Sequence, residues 1–131
     1  MSKPIARKEG IAFAFPDVLL TPAPPSSPVP VPYPNIAQLA DAVMTASTVK
    51  AGGLDVITVA SEIPTSTGGE AGTSGGVSSG TFNQKCTFTT GSGTVFAEGN
   101  QIVRQLDPTM QNNGNASGQV MVGLPTVLVG N

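Results

Sequence analysis

Gly76-Val77-Ser78-Ser79-Gly80 matches the G-x-S-x-G pattern that can hold a nucleophilic serine on a sharp turn. Such a serine needs a base to take its proton. Histidine, the usual base, is absent from all 131 residues. The pattern therefore reads as a coincidence of a glycine-rich stretch. Cys86 is the one cysteine and likewise lacks a histidine to activate it. Its neighbours Lys85, Thr87 and Phe88 suggest a strand carrying a small buried thiol. One cysteine without histidine cannot close a tetrahedral zinc site. Asp17, Asp41, Asp55, Glu62, Glu70, Glu98 and Asp107 are scattered and form neither an EF-hand loop nor a paired motif. No Gly-Lys-Ser/Thr of a phosphate loop occurs. No catalytic residue, resident metal or cofactor is expected.

Charge narrows the partners. Charged residues make up 11% of the chain, against roughly 25% in an ordinary domain. Either the surface is neutral and rich in Gly, Ser, Thr and Asn, or much of it is covered by a partner; the composition leans to the partner. The net charge of −2 gives no nucleic-acid footprint. The one basic cluster, Lys3, Arg7 and Lys8, reads as a solvated terminus. A single cysteine forms no internal disulfide, which suits a reducing cytosol. No apolar run reaches the ~18 residues of a membrane span. Ile11–Phe15 is too short for the core of a secretory signal. The expectation is one domain over residues 1–131, with a loose lead-in over 1–12, made in the cytoplasm; if the chain leaves the cell, it leaves without a cleavable signal.

The elements that position these residues read as mostly β. Eight of the 19 residues from Pro16 to Pro34 are proline, which excludes helix and central strand and predicts an ordered extended segment. Val29, Val31 and Tyr33 alternate with Pro30, Pro32 and Pro34, and those apolar residues are expected to dock on the body. Ile36, Leu39, Ala40, Val43 and Met44 have helical spacing behind a capping Asn35, which predicts one short helix within 35–48. Strands are predicted at 11–15, 48–51 and 54–60 across Gly52-Gly53, at 81–90, at 94–98 and 101–106 across Gly99-Asn100, and at 118–122 and 126–129. Six of the 13 residues from Gly68 to Gly80 are glycine; that stretch is either a flexible linker or a set of tight turns. Residues 107–118 read as a second turn-rich stretch.

Three blocks together resemble a family. Phe15-Pro16-Asp17-Val18, Thr21-Pro22 and Val29-Pro30-Val31-Pro32-Tyr33-Pro34-Asn35-Ile36 resemble the N-terminal signature of PAAR-like domains of the Pro-Ile-Pro-Tyr type. The tetrad here is Pro30-Val31-Pro32-Tyr33. Residues 61–80, with Ser66, Gly68, Glu70, Gly72, Gly75, Gly76 and Gly80, are similar to the central glycine-rich block. Asp107-Pro108-Thr109 and Asn112-Asn113-Gly114-Asn115 resemble the C-terminal block. The resemblance implies a compact conical β-rich fold. It also implies a structural role: one copy capping the C-terminal β-helix of a VgrG-type spike trimer in a type VI secretion system. A toxin effector or its chaperone is a further implied partner; stable membrane insertion is not. Relatives that hold zinc use histidine near the tip, whereas this chain has Gln111 there. Alternatives of the same kind are an effector-recruiting adaptor and the tip of a phage-like or extracellular contractile injection system; a small toxic enzyme is the rival of another kind. No C-terminal effector extension is expected.

Overall fold

Residue types that favour strands and tight turns build the chain, and the computed structural model, which describes residues 2–131, is β-rich throughout. The strands are β1 (Lys3–Ile5), β2 (Ile11–Ala23), β3 (Ser26–Gln38), β4 (Ala46–Ala51), β5 (Leu54–Val56), β6 (Glu62–Ile63), β7 (Cys86–Phe88), β8 (Phe96–Ala97), β9 (Asn100–Gln101), β10 (Pro108–Gln111), β11 (Ala116–Val120) and β12 (Leu124–Val129). A six-stranded antiparallel sheet runs β3-β2-β11-β10-β7-β6, and β1-β12, β4-β5 and β8-β9 form three two-stranded sheets.

The proline tract is strand, and the exclusion of a central strand is corrected: β2, which contains Pro16 and Pro22, lies between β3 and β11. β2 and β3, 13 residues each, form a hairpin turning at Pro24-Pro25, a cis peptide bond. Proline is tolerated because β3 is the sheet's edge and because Pro16 and Pro22 of β2 fall at breaks in register. β11 pairs with β2 only over Ala12–Ala14. Beyond that, the glycine-rich stretch takes the same edge: Leu20 N–H donates to Gly75 O at 2.8 Å and Val77 N–H to Val18 O at 3.1 Å. The stretch is therefore a set of tight turns and not a linker. Val31 and Tyr33 are half-buried, while Val29 is exposed. The docking expectation holds for the first two.

Two buried clusters fill the interior. One contains Leu39, Ile57, Ile63, Cys86, Phe88, Val103 and Val120, padded by Ala6, Ala12, Ala37 and Ala42. The other contains Ile5, Val56, Ile102 and Val129 with Ala46, Ala51 and Ala97. The many alanines bring backbones close and leave each apolar cluster small, so polar contacts must hold much of the fold.

Four expectations are corrected. The lead-in over 1–12 is not loose: β1 pairs with β12, Ile5 and Ala6 are buried, and Arg7 donates to the carbonyls of Ala51 and Gly52. The helix within 35–48 is only a 3-10 turn, Leu39–Asp41. Burial alternates from residue 35 to 39, the period of a strand, and Val43 and Met44 are exposed. The strand at 81–90 shrinks to Cys86–Phe88, because Asn83 turns into the left-handed region. More than half of the second turn-rich stretch is strand, since β10 and β11 pair from Pro108–Gln119 to Gln111–Ala116. The Gly52-Gly53 hairpin forms as expected. The next turn sits one residue earlier, at Glu98-Gly99.

Candidate functional site

Asp17 is fully buried in β2, between a break in the ladder and the glycine-rich turns. Its carboxyl faces amides, not a cation. Asn35 Nδ2 donates to Oδ2 at 3.3 Å, Asn112 Nδ2 to Oδ1 at 3.2 Å, and Asn115 Nδ2 to Oδ1 at 2.6 Å. Each asparagine then reaches a different part of the chain. Asn35 donates to Ser66 Oγ at 2.9 Å, and Ser66 to Gln84 O at 2.7 Å. Asn112 donates to Thr81 O at 2.8 Å and accepts from Thr81 Oγ1 and from Gln84 N–H, each at 3.1 Å. Asn115 donates to Val18 O at 3.0 Å and accepts from the N–H groups of Ser78 and Ser79 at 2.8 and 3.0 Å.

Gln111, which sequence reasoning took only as the place of a missing histidine, closes the network. It is fully buried, donates to Asn35 Oδ1 at 2.8 Å and Asn35 O at 3.0 Å, and accepts from Thr109 Oγ1 at 2.8 Å. Among the described residues no buried side-chain nitrogen or oxygen lacks a partner. Buried polar groups are costly when unpaired and specify one arrangement when all are satisfied. The network thus ties the three blocks of the motif into one body.

The remaining motif residues surround this centre. Tyr33 hydroxyl and Thr21 Oγ1 share a hydrogen bond of 2.8 Å across the hairpin. Pro16, Pro22, Pro30, Pro32 and Pro34 are exposed along it. Gly72 lies against Leu19; Gly75 N–H donates to Gly72 O, and Gly80 N–H to Gly76 O. Gly68 has φ +114° and lies against the Pro34 carbonyl, so neither its conformation nor its space admits a side chain. Glu70 is exposed and caps the turn: the Gly68 N–H at 2.8 Å, then Asn83 Nδ2 at 2.9 Å, hold its carboxyl below the usual range. At Gly76 a Cβ would meet the amide of Asn115, which its four partners hold fixed. Gly76→Ala is expected to cost about 1–3 kcal/mol, as overpacking does. Chemical denaturation checks this, and an unchanged midpoint would contradict it.

Ser79 Oγ shares a 3.0 Å hydrogen bond with Thr81 Oγ1, and among the described residues its hydrogen-bond partners all belong to Thr81. Among the described residues no group of three metal-ligating side chains is found. Cys86 is buried in β7, and desolvation pushes its thiol up to about 12 from 9.0. The stability that goes with the protonated thiol is complete below the unfolded value of 9.0 and is lost as pH rises toward about 12. A thiol reagent at pH 8 should label the native chain far more slowly than the unfolded one. Equal rates would contradict the burial.

A second charged cluster went unread in the sequence. Arg104 and Asp107 are both buried and form a forked pair, Nε–Oδ2 2.9 Å and Nη2–Oδ1 3.0 Å. Lys3 Nζ joins at 3.1 Å, and Arg104 Nη1 also donates to Gly130 O at 3.2 Å. The i,i+3 spacing of Arg104 and Asp107 was its only local signal, and the left-handed Leu106 between them makes the turn that brings the two together.

No curated protein and no solved structure matches the chain. A family model described as the toxin PAAR-like domain matches residues 10–118, which span all the motif blocks and the whole Asp17 network. The chain belongs to the toxin PAAR-like domain family.

Proposed function

We propose that this chain is a non-catalytic structural tip: one copy caps the C-terminal β-helix of a VgrG-type spike trimer in a type VI secretion system and helps to carry effectors. The family match over residues 10–118 is the observation that carries this reading. The geometry supports it: a β-rich body with every buried polar side chain paired, among the described residues, suits a part that transmits force without deforming. In the producing bacterium the chain is cytoplasmic and leaves on the apparatus without a signal peptide. Co-expression with the spike protein encoded beside it, followed by imaging of the complex, tests the proposal. The expected image has this chain on the β-helix end; a bare β-helix beside folded free chain would contradict it.

A second reading, an adaptor that recruits a toxin or its chaperone, is favoured by an open depression of about 320 Å³ lined by Phe13, Phe15, Gln119 and Met121. It differs from the first only in the added partner.

A further inference from the structure

β3 closes one side of the six-stranded sheet. An open edge is a template for another strand, and proteins guard it with charge, bulges or proline. The register shows which groups face outward. Val18 pairs with Pro32 and Leu20 with Pro30. Val18 O and Leu20 N–H are spent on the far edge of β2, against Val77 and Gly75. In an antiparallel ladder, a residue whose polar groups turn away from its neighbour sits opposite one that does the same. Pro30 and Pro32 therefore face outward, and Val29, Val31 and Tyr33 face Thr21, Leu19 and Asp17 for the ladder bonds. Ile36 keeps this phase, its outward N–H donating to Thr67 O at 2.8 Å, so Pro34 faces outward too. Proline thus occupies each outward position from 30 to 34, and that edge offers carbonyls without a single N–H.

Charge, the other common guard, is absent here. Residues 18–40 contain no Asp, Glu, Lys or Arg.

We infer that Pro30, Pro32 and Pro34 are an edge guard that stops β3 from pairing with β3 of a second copy of this chain. The alternation does two jobs at once. It spends proline only where the ladder needs no donor, and it removes the donors that a new strand would need.

The test restores them. Pro30→Val with Pro32→Val leaves the hairpin's own ladder intact and should fold. Light scattering should then give a mass of two or more chains at concentrations where the parent gives one, and the new amides at 30 and 32 should resist hydrogen exchange in the associated form. Pro30→Val with Pro32→Lys replaces one guard by charge and should return the mass to one chain. If the double-valine variant does not fold, Pro32→Thr alone restores one donor and should associate with rising concentration. A folded double-valine or Pro32→Thr variant that stays at one chain overturns the inference. So does a lysine variant that associates as strongly as the valine variant, or a parent that itself pairs through this edge.

Discussion

Asp17→Ala is expected to lower the unfolding free energy by about 3–5 kcal/mol, because it strips the acceptor from three buried or half-buried amides at ~1–3 kcal/mol each. Asn35, Asn112 and Asn115 all aim a side-chain N–H at the lost carboxyl. Asn35 and Asn112 are themselves fully buried, so neither can turn its freed N–H to water. A domain is stable by only ~5–15 kcal/mol, so the variant should be partly unfolded at physiological temperature. Asp17→Asn keeps the volume but sets a donor against donors, and should recover little. Urea denaturation of parent and variants reads the difference. A loss under about 1 kcal/mol for Asp17→Ala, the net worth of one ordinary hydrogen bond, would show that the network is not the fold's centre.

Arg104→Ala should be nearly as damaging, at about 3–5 kcal/mol, the cost of taking from a buried carboxylate its buried, forked ion partner. Asp107 would keep only Lys3 and the residue 104 N–H. The chain end would also lose its tie, because Arg104 Nη1 holds Gly130 O and Asn131 Oδ1. Lys3→Ala is the control: its side chain is 32% exposed, so it should cost about 1 kcal/mol or less. Thermal unfolding that ranks Lys3→Ala above Arg104→Ala would reverse the account of this cluster.

Local chemistry was legible in the sequence; long-range pairing was not. Alternating proline reads as extended backbone because proline fixes its own φ, and β3 is extended. The resemblance picked out Asp17, Asn35, Asn112 and Asn115 but not their meeting, which joins residues 95 and 98 positions apart. Asn35 was read as a helix cap because an amide before an apolar run looks the same in either role; its actual partners lie in β2, at Ser66 and in β10. Gln111 was invisible for the same reason, with its amide partner 76 positions away. The strand at 81–90 failed because threonine and phenylalanine favour strands, whereas the Gln84 N–H is spent on Asn112 Oδ1 outside any ladder.

The proposed function requires one copy of this chain to seat on the end of a trimeric spike. The purified chain is mixed with its VgrG-type trimer and the mass of the complex is measured by light scattering. The expected mass is that of the trimer plus one chain, unchanged when the chain is in excess. A mass of the trimer plus three chains, or no complex between two folded proteins, would contradict it.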